Sequence, residues 1–349
     1  MNQTPDQDKA SSTNADHLPG TNSSVTGNDD TDGDEHKGPN MSASFQSLVE
    51  RSIAAWRPLV EYQIHNGGGN NGNLQEDFVT KIKTLQGLHS VEDLLSNGEF
   101  WFFQLRESFI RQNLLIKWDP DNLDAYILLP INYGFVNNRE CFFVSHYWHT
   151  REHPDPTGRD MDLFREDMGS VEWSYVWVDW TCMPQSPRNK VQQEYFKKML
   201  GFIPSLVRDC AFEWRFATFE RRAWILSEVA EYVLNHKEYT ITDDVKPFIS
   251  HLTEMLADGV RPVISRHKYA CTNGSDMEFL IGWLELLVIL YRIIPDVSIR
   301  QTIFDMINRG YVGSFSLIEL GLYIDKSKGI ISYKGVEYKF TPVFSPSTN

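Results

Sequence analysis

The sequence predicts an α/β fold in which helices cover a parallel sheet on both faces. Two short apolar runs, Cys141–Ser145 and Tyr175–Asp179, lack the alternation of apolar and polar residues that a half-exposed strand shows. Helical periodicity follows in Lys190–Arg208 and Phe219–Asn235, and a weaker strand near Cys210–Trp214 lies between these helices. Strands that alternate with helices in this way favour a parallel sheet, whose ligands bind beyond the carboxyl ends of the strands.

The residues that precede the α/β core form two segments of different composition. Residues 1–40 contain eight acidic residues, two lysines and almost no large apolar side chain, so we expect a disordered acidic tail. Residues 41–135 are expected to form a helical N-terminal region, because apolar residues recur at three and four positions from Phe45 onwards. One of its helices is expected at Phe100–Leu115.

The rest of the chain divides into the core and a C-terminal extension. The α/β core is expected over residues 136–240 and a helical C-terminal region over residues 241–345. That region ends in two short strand-like runs on either side of Lys334 and Gly335, which predict a β-hairpin that turns there.

Charge and hydropathy limit the classes of partner. The net charge of −14 and the pI near 5.2 disfavour nucleic acid and anionic membrane surfaces, which bind clusters of Lys and Arg. The most apolar stretch, Phe279–Ile294, would be about 24 Å long as a helix, whereas a bilayer core is about 30 Å thick. We therefore expect a buried core helix and no membrane span. Four scattered Cys residues without a CxxC pair, and no visible secretory signal, favour a cytoplasmic protein with reduced thiols.

Three sequence blocks contain side chains of the kinds that form catalytic and binding sites. Each block lies at the end of a predicted strand or on the helix that follows. They are Ser145–Trp148 (SHYW), Trp177–Gln185 (WVDWTCMPQ) and Arg222–Glu228 (RAWILSE). On a continuous helix Arg221, Trp224 and Glu228 would share one face, so that a cation, an aromatic ring and a carboxylate would project together.

In this order the three blocks resemble the fungal heterokaryon-incompatibility (HET) domain. Glu194 and Met199 also fit the E-x4-M spacing of that family. His149 stands where the family usually has glycine, and Pro184 stands where it usually has asparagine. The resemblance covers residues 140–235.

The HET domain is itself similar to the Toll/interleukin-1 receptor (TIR) fold, a flavodoxin-like parallel sheet with helices on both sides. In TIR enzymes that cleave NAD the catalytic residue is a glutamate four residues after a Trp, and Trp224 and Glu228 match this spacing. The resemblance therefore implies that Glu228 is the catalytic residue, that NAD is the substrate, and that no cofactor is required. It also implies a role in self/non-self recognition or programmed cell death. The residues that it implies for nucleotide binding are Ser145, Tyr147, Trp148, Asp179, Trp180, Arg222 and Trp224.

The implied reaction agrees with the residue types. Departure of nicotinamide leaves positive charge on the ribose, which a carboxylate such as that of Glu228 stabilises without a general acid. Aromatic rings such as those of Trp148, Trp180 and Trp224 can stack on nicotinamide or adenine.

Other interpretations of the same residues stay open. Glu228 also fits a salt-bridge partner on a solvated helix face, and Asp179 fits a cap of the next turn. The spacing of His146, His149 and His153 invites a zinc site, but no Cys or carboxylate is spaced to complete one, so none is expected. The alternative function is a non-catalytic signalling module that acts by oligomerisation, as a homo-oligomer or with other signalling proteins. A different small-molecule enzyme that uses the same cleft also remains open.

Overall fold

The computed structural model describes residues 42–66, 71–132, 134–150, 152–214, 216, 219–271, 274, 276–308 and 313–343. The tail that the sequence predicts to be disordered, residues 1–40, lies outside these residues.

The described helices and strands follow one another in mixed order along the chain. The helices are α1 (Ala43–Asn66), α2 (Asn71–Gln86), α3 (Val91–Asn97), α4 (Arg106–Ile110), α5 (Arg159–Gly169), α6 (Asp179–Cys182), α7 (Lys190–Leu200), α8 (Ile203–Asp209), α9 (Ala223–Asn235), α10 (Lys246–Asp258), α11 (Val260–His267), α12 (Asp276–Ile293) and α13 (Val297–Asn308). The strands are β1 (Phe100–Leu105), β2 (Tyr126–Pro130), β3 (Cys141–Val144), β4 (Tyr175–Trp177), β5 (Ala211–Glu213), β6 (Ser314–Leu317), β7 (Leu322–Asp325), β8 (Ile330–Tyr333) and β9 (Val336–Lys339).

The central sheet has five strands in the order β2-β1-β4-β3-β5. Strand β3 runs parallel to both β4 and β5, with Phe142 opposite Val176 on one side and Ala211 on the other. The expected adjacent, parallel and buried pair of strands is therefore confirmed. The sheet as a whole is mixed, however, because β1 runs antiparallel to both β2 and β4. The prediction of an entirely parallel sheet is wrong for these two strands.

Strand β1 occupies part of the helix that the sequence predicts over Phe100–Leu115. Its residues Phe100, Trp101, Phe102 and Phe103 are all buried, and aromatic side chains of this size favour strands over helices. A strand projects successive side chains to opposite faces, so the sheet can bury a run that is apolar at every position. The helix prediction is wrong here, and the region 41–135 contributes two strands to the sheet as well as helices.

Helices pack on both faces of this sheet. Val144 and Val176 lie in one cluster with Met161 and Phe164 of α5, whereas Phe143 belongs to the cluster that includes helices α1 and α7. This arrangement explains why β3 and β4 are apolar on both sides.

The C-terminal part consists of helices α9 to α13 and a second sheet, which is antiparallel with the order β6-β7-β8-β9. Helix α12 is buried in the centre of this part, as the sequence predicts, and none of the described helices is long and apolar enough to cross a bilayer. The hairpin at β8–β9 is confirmed. Lys334 and Gly335 have φ angles of 51° and 84°, the positive values that a two-residue type I′ turn needs at both positions. The sequence did not indicate that this hairpin belongs to a larger sheet.

Candidate active site

The candidate site lies where strands β3 and β4 end, next to helix α9. Ser145 and His146 directly follow β3, and Asp179 begins the short helix α6 just beyond β4. Glu228 approaches from the middle of α9. Because β3 and β4 are parallel neighbours, their carboxyl ends lie side by side and bring His146 and Asp179, 33 positions apart in sequence, within hydrogen-bonding distance. Helix α9 brings Glu228 within hydrogen-bonding distance of Ser145, which is 83 positions away.

Ser145 holds the Glu228 carboxyl group. The buried Ser145 side chain donates a hydrogen bond from Oγ to Glu228 Oε2 at 2.5 Å, and the Ser145 N–H donates to the backbone oxygen of Glu213 on β5. Burial raises the pKa of Glu228 to about 7, and the negative charge of Asp179 adds to this effect. The Ser145 hydrogen bond and the positive charge of His146 act in the opposite direction. Glu228 is therefore a carboxyl group that changes its charge near neutral pH.

His146 and Asp179 form an ion pair beside Glu228. His146 Nε2 lies 2.7 Å from Asp179 Oδ1, and His146 Nδ1 lies 3.0 Å from its own neighbour, the backbone oxygen of Tyr147. Burial alone would lower the pKa of His146, but the charge and the hydrogen bond of Asp179 outweigh it and raise the pKa to about 9. Burial likewise opposes ionisation of Asp179, yet the His146 imidazolium holds the pKa of Asp179 below its ordinary value.

Two Trp residues extend the site from Asp179. Trp148 is partly exposed and donates from Nε1 to Asp179 Oδ2 at 3.3 Å. Its ring stands perpendicular to the buried ring of Trp180, with 5.1 Å between the centroids. Trp180 donates from Nε1 to the backbone oxygen of Leu115, which fixes the ring against which Trp148 packs. Trp148 is therefore the ring of this pair that a ligand can reach.

Tyr147 does not join the site. Its hydroxyl donates to the backbone oxygen of Glu220 and accepts from the Glu220 N–H, while its ring packs on Phe216 at 4.8 Å. It therefore fixes the segment that leads into α9, and its expected role in binding a nucleotide has no support from its position.

Arg222 and Trp224 lie at the beginning of α9 and point to different neighbours. Helix α9 begins only at Ala223, so Arg221 precedes the helix and the expected helical face of Arg221, Trp224 and Glu228 is wrong. Arg222 donates to the backbone oxygen of Trp148 at 3.4 Å. Trp224 donates from Nε1 to Asp276 Oδ2 at 3.3 Å on helix α12.

A small pocket lies beside Glu228, between helices α8, α9 and α12. Its volume is only about 10 Å³, and Trp224, Phe279 and Trp283 contribute rings to its wall. Pockets that enclose small ligands usually measure roughly 300–1,000 Å³. In this conformation the pocket has room for one water molecule at most, and it admits neither a nicotinamide ring nor a dinucleotide.

The three closely spaced histidines do not converge. His146 pairs with Asp179, His149 Nε2 lies 2.9 Å from Asp160 Oδ2, and His153 Nε2 lies 3.0 Å from the backbone oxygen of Leu115. Each ring has a different partner, so the three do not share a ligand position.

Sequence reasoning missed two polar residues of the site. His146 is the ion-pair partner of Asp179, and Gln185 donates from Nε2 to the backbone oxygen of Asp179 at 2.6 Å. Both residues lie inside the motif blocks, and this position is the sequence feature that could have indicated their role in the site.

Comparisons of the chain with protein-family models, with curated proteins and with solved structures found no match. Evidence about its function therefore comes from the motif blocks and from the site that they form.

Proposed function

We propose that this chain is a HET-like protein with a TIR-like fold that hydrolyses NAD to nicotinamide and ADP-ribose, with Glu228 as its catalytic residue. The observation that carries the proposal is the Glu228 carboxyl group. It lies at the carboxyl ends of two parallel strands, it is held by Ser145, and burial raises its pKa to about 7. Ligands of parallel sheets bind at this edge.

The reaction would proceed through a positively charged ribose. The bond between ribose C1′ and the nicotinamide nitrogen breaks, its electron pair leaves with neutral nicotinamide, and positive charge develops at C1′. The ionised Glu228 carboxylate stabilises this charge. Water then attacks C1′ and releases a proton, and a carboxylate with a pKa near neutrality is well matched to accept it.

The neighbouring residues would orient the site. Ser145 fixes the direction of the Glu228 carboxylate, and the ion pair of His146 with Asp179 holds Trp148 through its indole N–H. The exposed part of the Trp148 ring offers a stacking surface for the base. Because the pocket beside Glu228 is small, we expect the partly exposed Trp224 ring to turn outwards when the nicotinamide end binds.

The small volume of the pocket also favours the second candidate, a non-catalytic signalling module that acts by oligomerisation. In that case the polar residues around Glu228 would stabilise the fold, and the chain would assemble with itself or with other signalling proteins. For both candidates we propose a cytoplasmic protein that acts in self/non-self recognition or programmed cell death.

The test is the release of nicotinamide from NAD by the purified full chain, followed by chromatography. We expect Glu228→Gln to retain the fold and to lose roughly 10²–10³-fold in rate, the usual cost of removing one electrostatic contact to a transition state. Glu238→Gln is the matched control, because Glu238 is an exposed glutamate just beyond α9. A wild-type chain that releases no nicotinamide, or a Glu228→Gln variant as active as the control, would contradict the enzyme proposal and favour the oligomerisation module.

A further inference from the structure

Helices α10 and α11 form an antiparallel pair that brings two histidines and a glutamate together. Gly259, with φ at +91°, lies between the two helices, and the pair folds back on itself at this residue. His251 and Glu254 lie one turn apart on α10, and His267 is the last residue of α11. The ligand atoms of these three side chains all lie within 4.8 Å of one another.

The internal contacts of this cluster leave atoms available for a ligand. His267 Nε2 lies 2.9 Å from Glu254 Oε2, and the rings of His251 and His267 are stacked with centroids 3.6 Å apart. His251 Nδ1 is hydrogen-bonded to the hydroxyl of the buried Tyr269 at 2.8 Å, and among the described residues Nε2 of that ring has no hydrogen-bond partner. Arg266 also bonds Glu254 at Oε2, so among the described residues no hydrogen bond is made to Oε1.

We infer that His251, Glu254 and His267 form a binding site for a divalent transition metal of the zinc class. Two imidazoles and one carboxylate are a ligand set that zinc accepts, with a fourth position for water. The hydrogen bond from His251 to Tyr269 is the outer contact that orients a metal-binding imidazole. The metal would take the place of the hydrogen between His267 Nε2 and Glu254 Oε2, because a ring nitrogen that binds a metal carries no proton.

The side chains need only small movements to reach the metal. Ligand atoms around tetrahedral zinc lie on the order of 3.4 Å apart, given zinc–ligand bonds of about 2.1 Å. The present separations of up to 4.8 Å must therefore shorten, and the two stacked rings must tilt apart. All three residues are partly exposed, so solvent and metal can reach them and the rings have room to turn.

The histidine–glutamate cluster lies next to the segment that leads into helix α9. Tyr269 is followed by Ala270, whose N–H donates to the backbone oxygen of Arg221 and whose oxygen accepts from the N–H of Ala223. The His251 ring also contacts the Phe219 ring at 5.8 Å. A metal at this cluster would therefore stabilise the segment that leads into α9. The metal site does not depend on whether the chain cleaves NAD.

The experiment is isothermal titration calorimetry of the full chain with ZnCl₂, together with thermal unfolding with and without the metal. We expect one zinc ion per chain and a melting temperature raised on the order of 5 °C at a free zinc concentration 100 times Kd. His251→Ala and His267→Ala are expected to lose the binding. The exposed histidine His89, changed to Ala, is the matched control and should keep it.

Each outcome bears on the proposal. If a histidine variant fails to fold by circular dichroism, Glu254→Gln, which keeps the size of the side chain, should still fold and bind zinc at least tenfold more weakly. A wild-type chain that binds no zinc, or one whose stoichiometric zinc persists in His251→Ala, His267→Ala and Glu254→Gln alike, would overturn the assignment. Nicotinamide release is not used as a readout, so failure of the metal site and failure of the NAD proposal are distinguishable.

Discussion

Glu228 and Glu231 lie three residues apart on helix α9, and replacing each by glutamine is expected to change the stability of the fold in opposite directions. Glu231 is buried and forms an ion pair with Arg208, with 2.6 Å between Oε1 and Nη1 and only 1% of each side chain exposed. Trp283 on α12 donates to its other oxygen, also at 2.6 Å. The charge of Glu231 raises the pKa of Arg208 above its ordinary value although burial acts against it. Glu231 thus joins α8, α9 and α12.

Glu231→Gln leaves the buried Arg208 guanidinium without its main counter-charge. Breaking a buried ion pair in this way typically costs about 3–5 kcal/mol. The remaining ion pair of Arg208 with Asp305 is longer, at 3.5 Å, and the Asp305 side chain is partly exposed, so it compensates only in part. We therefore expect the free energy of unfolding to fall by about 3–5 kcal/mol in this variant.

Glu228→Gln should leave stability unchanged at low pH and increase it at higher pH. The pKa of Glu228 is about 7 in the folded chain and 4.5 in the unfolded chain, so the folded state holds the proton longer. Ionisation therefore destabilises the wild type as pH rises from 4.5 to 7, by at most about 3 kcal/mol, because one pKa unit corresponds to about 1.4 kcal/mol. The Gln variant lacks this loss, and its advantage over wild type should be complete above pH 7.

The assay is urea unfolding followed by Trp fluorescence and circular dichroism, at pH 5 and at pH 8, for the wild type and both variants. The reasoning would be refuted if Glu231→Gln cost less than about 1 kcal/mol, or if Glu228→Gln were destabilised to the same extent at pH 8. The first result would remove the structural role of Glu231, and the second would give Glu228 the same structural role.

Two further predictions concern His146 and the acidic segment of residues 1–40. Because the pKa of His146 is raised to about 9, its ion pair with Asp179 stabilises the fold fully below pH 6.5 and loses that contribution, about 3 kcal/mol, as pH rises to 9. Unfolding of His146→Gln should therefore depend less on pH between 6.5 and 9 than unfolding of the wild type; identical slopes would contradict the ion pair. Removal of residues 1–40 should leave the melting temperature within about 1 °C of the full chain, because a segment of this composition has little apolar surface to bury. A loss of several degrees would mean that this segment packs on the rest of the chain.

The fold could be predicted where the apolar pattern had one interpretation. Cys141–Val144 and Tyr175–Trp177 are short apolar runs bounded by polar segments, so they could be assigned as strands and then as parallel neighbours. In the sequence, Phe100–Leu105 is followed almost directly by a second apolar segment after Arg106, and the combined length predicts a helix. The structure instead has a strand over Phe100–Leu105. A short apolar run of this kind fits a buried strand and a buried helix equally well, and the pairing with β2 decides between them.

The candidate site could be predicted as a set of positions but not as a set of contacts. Ser145, Asp179 and Glu228 were placed by the motif blocks, and the structure brings them to one edge of the sheet. Side-chain direction depends on tertiary packing, which is why Tyr147 lies outside the site and bonds Glu220 instead. The Trp224 ring borders the pocket beside Glu228, but its N–H donates to Asp276 on another helix. His146 and Asp179 are 33 residues apart in sequence, so no local sequence pattern predicts that they pair.

The central claim is that the ionised Glu228 carboxylate carries out the chemistry, and the pH dependence of kcat/KM for nicotinamide release tests it most directly. Low pH protonates Glu228, so we expect the rate to rise with pH and to reach half of its maximum near pH 7. In Ser145→Ala the carboxylate loses a hydrogen bond that favours its ionised form, so the midpoint should move upwards by on the order of one pH unit. A rate that does not change between pH 5.5 and 8, or a midpoint that Ser145→Ala leaves in place, would contradict the account.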